Sequence, residues 1–474
     1  MNSRKVSILT LVIFLLIAGL VIAVSPKSVK VLAASGATDI SQTDSSWACL
    51  PRYSEPHEFL YLYPHGKSPG TPGPDTQTTL WGVDSADFND DGQVDAVLWR
   101  GLFQSGEAFE IDILLNDGSG TLALGTSQVF SGKAPSVVEG RELLLADFNG
   151  DDRLDMFFAD QGMDNHPFPG HQNTLALSAP GGKMIDTTSN LPQQSDQTHS
   201  AAAADIDGDD DIDLYIGNLG GGGVLPQLWL NNGAGVFTIA QNLLPPEQTD
   251  LSLNWYTTSA FADVNNDTYP DLILGQGNPN RGSHVLLNDG TGHFAQMATP
   301  LPPTIFAPNQ QPVDIKAADI SGDGYVDLFL SDTRSSYAGR YIQILINKGN
   351  GTFRDETAAR LPQSSNFSPW IVWLDLVDIN MDGNLDLVVK PIGETEPFFY
   401  LNNGAGDFYP LANVFNIGTD NLFTFMDLDQ NGFLDILWAY PGCYDGTCPE
   451  IHNIVRAQGC PLFLPMLSSA GQGA

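Results

Sequence analysis

The stretch ADFNDDGQVD, Ala86 to Asp95, crowds four acids, an asparagine and a glutamine into ten residues. Carboxylates this close repel one another unless something positive holds them. The pattern they follow is D-x-[DNS]-x-[DN]-x-x-x-D, which places side-chain oxygens at loop positions 1, 3, 5 and 9. A chain curling round one point brings those oxygens and the carbonyl of position 7 onto a hard cation. Ca²⁺ takes about six to eight oxygens at roughly 2.3–2.6 Å in flexible geometry, whereas Mg²⁺ demands a stricter octahedron. In the first loop the ligands are expected to be Asp87, Asn89, Asp91 and Asp95, with the carbonyl of Gln93.

The pattern occurs seven times, with its first Asp at 87, 147, 205, 263, 319, 378 and 427. The second loop offers Asp147, Asn149, Asp151, Arg153 and Asp155, and the third Asp205, Asp207, Asp209, Asp211 and Asp213. The fourth has Asp263, Asn265, Asp267, Tyr269 and Asp271, and the fifth Asp319, Ser321, Asp323, Tyr325 and Asp327. Asp378, Asn380, Asp382, Asn384 and Asp386 form the sixth, and Asp427, Asp429, Asn431, Phe433 and Asp435 the seventh. In each set the fourth residue named acts through its carbonyl. A single copy would read equally well as an acidic surface turn, since Asp, Asn and Gly are turn residues. Seven copies that all keep the position-9 Asp favour one ion per loop, up to seven Ca²⁺ in a structural role. Loops one, three, six and seven are expected to bind best. Loop four, with Thr268 at position 6 and Pro270 at position 8, is expected to bind worst.

The elements around the loops decide the fold. Their flanks, such as TLWGVDSA, DAVLWR, DLYIGN and DLVVK, are β-prone runs of strand length rather than helices. Further along most repeats comes an apolar strand, an Asn/Asp-Gly turn and another strand: LLNDGSGTL, LWLNNGAGVF, VLLNDGTGHF, ILINKGNGTF and YLNNGAGDF. One period therefore reads strand A, acidic loop, strand B, connection, strand C, N-x-G-x-G turn, strand D. Four antiparallel strands per repeat, repeated along the chain, is the arithmetic of an all-β propeller.

These loops and hairpins resemble the FG-GAP/VCBS repeat family, which includes the propeller of integrin α-subunits and many secreted bacterial proteins. The resemblance covers about residues 80 to 458. It implies a seven-bladed β-propeller of four-stranded antiparallel blades with Ca²⁺ in the A–B loops at one rim. The chain departs from the pattern twice: the second repeat has LALSAPGGKMID for its turn, and the last has no such hairpin. The segment EFLYLY, Glu58 to Tyr63, is expected to supply the missing strand and close the ring. The expected division is residues 1–34 as signal peptide or signal anchor, 35–79 as an N-terminal segment with the closing strand, 80–460 as the propeller, and 461–474 as a short tail.

Composition narrows the partners. With 20 Lys+Arg against 56 Asp+Glu the net charge is −36, which excludes a phosphate backbone as ligand. MNSRK followed by the uncharged run Val6 to Val24 and VLAAS reads as an export signal, cleaved near Ala33 or Ala34, or kept as an anchor. Either way the rest is expected outside the cytoplasm, secreted or at the cell surface, touching a membrane only through that segment. Four cysteines suit an oxidising compartment and allow three pairings. Cys443 with Cys448 and Cys49 with Cys460 is the favoured one; the close-spaced pairs usual for zinc are missing.

A ligand site is expected at the end away from the acidic loops. Asp164, His166 and His171 lie in the long connection DQGMDNHPFPGHQN, and His199, Trp255 and Trp370 precede later A strands. Aromatics beside polar groups can stack on sugar rings, although each residue alone reads as well as packing or a turn cap. No nucleophile elbow, H-E-x-x-H or phosphate loop is present, so no catalytic residue is assigned. Three readings follow: a binding or adhesion module for an extracellular protein or glycan, a polysaccharide-active enzyme, and a structural surface-assembly component.

Overall fold

The computed structural model describes residues 78–439, apart from 103–105, 220–222, 241, 251–254, 279–280, 335–337, 362–364, 367–370, 393–397 and 412–421. It also gives the backbone of short strands at Trp47–Leu50, His57–Glu58, Ile451–Val455 and Leu462–Pro465. The expected export segment, Trp370, Cys443, Cys448, Cys460 and the end of the tail lie outside the described residues, as does the side chain of Cys49.

The first blade shows why the repeat folds as it does. Its strands Thr78–Ala86, Asp95–Leu102, Asp112–Asn116 and Leu122–Leu124 pair in that order, all antiparallel. Strand B is apolar on both faces, with Ala96, Val97, Leu98 and Trp99 almost fully buried, because each face of a blade packs on a neighbour. Trp99 fills its face only because Gly82 has no side chain: a Cβ there would lie 2.0 Å from the indole. The indole N–H donates to the Gly140 carbonyl of the next blade at 2.9 Å.

Among the described residues six sheets have four strands, and the sheet holding the fifth acidic loop has five. That corrects the expectation of seven four-stranded blades. Strand C of the five-stranded sheet, Ala338–Asn347, is ten residues long, and the three-residue strand Phe353–Asp355 pairs only with its end. Ser365–Asn366 returns to pair with Tyr341 and Arg340 on the uncovered part. A bare edge is a template for unwanted pairing, and a short return strand covers it.

Apolar clusters join successive sheets. Val97, Trp99 and Ile113 of the first blade pack with Leu143, Met156 and Phe158 of the second, and the series continues round to the start. Met426, Leu428 and Leu437 of the last blade pack with Val83, Ala96, Leu98 and Leu114 of the first, so the sheets form a closed ring. The last blade takes its outer strand from the other end of the chain: His57–Glu58 pairs antiparallel with Ile451–Val455, followed inward by Asp435–Ala439 and Leu422–Met426. Only Glu58 of the expected closing segment lies in that strand; the rest is outside the described residues.

Candidate metal loops and axial cavity

Each acidic loop joins the end of an A strand to the start of a B strand, so all the described loops sit at one rim. Loop one shows the shared architecture. The position-1 carboxylate of Asp87 accepts the N–H of Asp91 at 3.2 Å and of Gly92 at 2.8 Å, winding the backbone around itself. Positions 4 and 6 take left-handed backbone: Asp90 at φ 60° and Gly92 at φ 83°. Loops two, three and four hold Asp152, Asp210 and Thr268 in that conformation, at 64°, 72° and 80°. Side chains there cost about 1–2 kcal/mol relative to glycine, so the loop shape is held against its own strain. Loop four repeats the hydrogen bonds of loop one despite Pro270: Asp267 and Thr268 donate to Asp263, and Asn265 Nδ2 donates to Asp267.

The position-9 aspartates have a second task. Asp95 is fully buried and its two oxygens accept the N–H of Phe88 at 3.1 Å and of Asn116 at 2.9 Å. Asp213 does the same with Ile206 and Asn231, and Asp271 with Val264 and Asn288. Burial pushes these carboxyls up, to about 7 for Asp95 and Asp271 and about 8 for Asp213. The sequence pattern makes them candidate ligands, and the fold adds that they tie the loop to strand C.

The first Asn of the hairpin motif extends that tie to the neighbouring blade, a role the sequence reading missed. Asn231 Nδ2 donates to the Phe148 carbonyl of the preceding loop at 2.8 Å and to Ile212 of its own at 3.1 Å. Asn288, Asn347 and Asn402 reach Ile206, Val264 and Ile320 in the same way. Asn116 reaches Leu428 at 2.7 Å, joining the first blade to the last. The signal was visible as the recurrent N of N-x-G-x-G.

The donor sets of loops three and seven suit a divalent cation. Asp205, Asp207 and Asp209 place carboxylate oxygens within 4.8 Å of one another, as do Asp427, Asp429 and Asp435. In loop three one oxygen of Asp207 is buried without a hydrogen-bond partner, and burial, then the Asp209 charge, raises its carboxyl above the ordinary range. An oxygen-rich cluster with an unpaired buried acceptor is chemistry that a hard cation completes. In loops one, four and six the position-3 asparagine donates to the position-5 carboxylate, Asn89 to Asp91 at 2.9 Å for example. Loop two differs and is taken up below.

The opposite end of the ring holds a cavity of 40 Å³ on the axis, lined by Arg141, Glu142, His199, Thr257, Asp314 and Lys316 among others. Such a space holds a few waters or one small chemical group. Strands A carry these side chains, and strand starts lie away from the acidic rim. Lys316 is paired with Asp314 at 3.2 Å. Glu142 accepts the Ala201 N–H at 2.9 Å, and burial pushes its carboxyl up to about 7. Asp84 is pushed up to about 6 by burial, and Lys390 pairs with Asp375 nearby. No signal short of the ring itself brings residues 84, 142, 314 and 375 together.

The expected ligand residues divide. His199 is buried, with Nδ1 3.0 Å from the Thr257 carbonyl and 3.5 Å from Arg141, and burial holds its charged form off well below the usual range. Asp164 is half-buried; burial raises its carboxyl, and the positive charge of Arg141 opposes the rise. Arg141, missed in the sequence, thus interacts with both. His171 belongs elsewhere: its Nδ1 lies 2.9 Å from the buried carboxylate of Asp160, which raises its pKa. His166 is exposed, edge-on to Phe168. Trp255 is 45% exposed.

No curated protein matches the chain. Among solved structures it is similar to the Photorhabdus luminescens Tc holotoxin pore, at 16% identity and TM-score 0.39 over 78% of this chain. The chain spans 17% of the toxin chain's length. A Bacillus licheniformis rhamnogalacturonan lyase matches at 12% identity and TM-score 0.41, covering 87% of this chain and 75% of that one. The V. cholerae biofilm matrix protein Bap1 matches at 11% and 0.33, over 85% and 70%. The model of the FG-GAP-like repeat matches residues 147–216, 263–330 and 331–389. Those stretches carry five of the acidic loops, and over them the chain is similar to the FG-GAP-like repeat.

Proposed function

We propose that this protein is an exported, calcium-stabilised propeller that binds a protein or glycan at the axial end remote from its acidic loops. The observation that carries the reading is the axial cavity, where the ring gathers buried charges and hydroxyls that closure of the blades alone does not need. Ca²⁺ sits in the A–B loops in a structural role and holds the rim. The five-stranded sheet counts as one blade, giving seven in the ring. Trp47–Leu50 pairs with Leu462–Pro465, with Cys49 opposite Phe463. That pairing lays the two ends of the chain side by side and supports a Cys49–Cys460 disulfide, with Cys443–Cys448 as the second.

A polysaccharide-active enzyme is the second reading, favoured by Glu142, a cavity carboxyl pushed up to about 7. An acid that keeps its proton near neutrality suits proton donation to a glycosidic oxygen. Residues 35–474, saturated with Ca²⁺, should be screened against polysaccharides and glycans for retention and for chain cleavage. Retention that Trp255→Ala or His199→Ala weakens at least tenfold is the expected result. Cleavage lost in Glu142→Gln would establish the enzyme instead. A folded protein that retains nothing and cuts nothing contradicts the glycan form of the proposal.

A further inference from the structure

The second loop departs from its siblings at three points that meet in space. Arg153 stands at position 7, where other loops have Gln, Asp, Tyr, Asn or Phe. Ser178 stands where five other blades have the stapling asparagine, and a Pro-Gly-Gly turn follows it. The Arg153 guanidinium lies over the loop's own ligand set: Nη2 donates to Asp151 Oδ2 at 2.5 Å, and Nη1 donates to the Ala179 carbonyl at 2.8 Å. The Ser178 hydroxyl lies 2.9 and 3.0 Å from the two Asp151 oxygens. The position-3 amide turns away as well, with Asn149 Nδ2 on Asp155 at 3.1 Å and on Ser178 Oγ at 3.1 Å.

The position-5 carboxylate is therefore committed to groups of the protein. Among the described residues no other ligand carboxylate of loops one to six is paired with a lysine or arginine. A guanidinium offers a fixed fork of donors and stays charged at any physiological pH. It offsets the charge of Asp151, and through Ala179 it also ties loop to hairpin, the link that Asn116 and its counterparts make in other blades.

We propose that Arg153 is the resident cation of the second loop and that this loop takes no metal ion. The inference rests on the calcium reading of the other loops but stands or falls separately. A Ca²⁺ entering loop two would meet a fixed positive charge and would have to pull Asp151 from both Arg153 and Ser178. The ring thus holds at most one ion fewer than it has acidic loops, and loop two keeps its shape under chelation.

The test counts ions on the intact chain. Native mass spectrometry at saturating Ca²⁺ should show Arg153→Gln carrying one more ion than wild type, and Arg153→Lys carrying the wild-type number. Equal counts in wild type and Arg153→Gln overturn the proposal, whereas a wild-type count of zero overturns the calcium reading. Should Arg153→Gln fail to fold, anomalous scattering from wild-type crystals grown with Ca²⁺ decides. A peak between Asp147 and Asp151 overturns the proposal, and peaks at other loops with none there support it.

Discussion

Replacing Asp332 by Asn is expected to stabilise the protein strongly at alkaline pH and hardly at all below pH 4. Asp332 lies in strand Asp327–Arg334, 1% exposed, and neither carboxylate oxygen has a hydrogen-bond partner. Its strand neighbours are Pro312, which has no N–H to offer, and Tyr341. Burial alone pushes its carboxyl from 3.8 up to about 8. The folded chain thus keeps a proton that the unfolded chain has already released. Stability therefore falls as pH rises from about 4 to about 8, and the loss is complete above that window. A shift of that size corresponds to something on the order of 5 kcal/mol. An amide carries no charge at any of these pH values, so Asp332→Asn lacks this slope. Urea unfolding of both proteins from pH 4 to pH 8.5 should give curves that diverge steadily in favour of Asn. Parallel curves would show that Asp332 is solvated or paired in the folded protein.

Asn116→Ala is expected to cost about 3 kcal/mol, because its amide bridges the first and last blades. Its Nδ2 donates to Leu428 at 2.7 Å and Val94 at 3.2 Å, and its Oδ1 accepts Gly118 N–H at 3.1 Å. Each net bond is worth about 1 kcal/mol, and a buried carbonyl left unpaired costs about 1–3 kcal/mol. Asn116→Asp is expected to be worse than Ala, since a carboxylate facing two carbonyls cannot donate. Denaturation midpoints of the two variants in excess Ca²⁺ check the order. An alanine variant within 0.5 kcal/mol of wild type would show that the apolar contact of Leu428 and Met426 with the first blade closes the ring unaided.

The repeat was legible because two short-range signals, the D-x-[DNS]-x-[DN] loop and the N-x-G-x-G hairpin, both depend on local turn chemistry. The number of strands per blade was less so. Ser365–Asn366 lies in QSSNFS, a polar stretch with no strand alternation, and it pairs only because the long strand Ala338–Asn347 leaves an edge open. Within the loops, an aspartate that ligates a cation and one that accepts backbone N–H groups are spelled alike. Asp95 and Asp213 were therefore read as ligands, while their ties to strand C emerge only from the folded loop. Arg153 was read as a mere carbonyl donor for the same reason. The axial charges were illegible for a different one. Asp84, Glu142, Asp314 and Asp375 are scattered along the chain, and the ring gathers them on one axis.

The central claim is that cations hold the acidic rim together, and thermal unfolding with and without chelator tests it most directly. Ligand at about 100 times its Kd stabilises each site by about 2.7 kcal/mol, and several loops contribute at once. The account predicts a melting temperature in Ca²⁺ more than about 10 °C above that in chelator, with Mg²⁺ restoring only part of the difference. Equal melting temperatures in Ca²⁺ and chelator would contradict it, and would make the loops strained acidic turns held by Asp87, Asp205 and their counterparts through backbone hydrogen bonds alone.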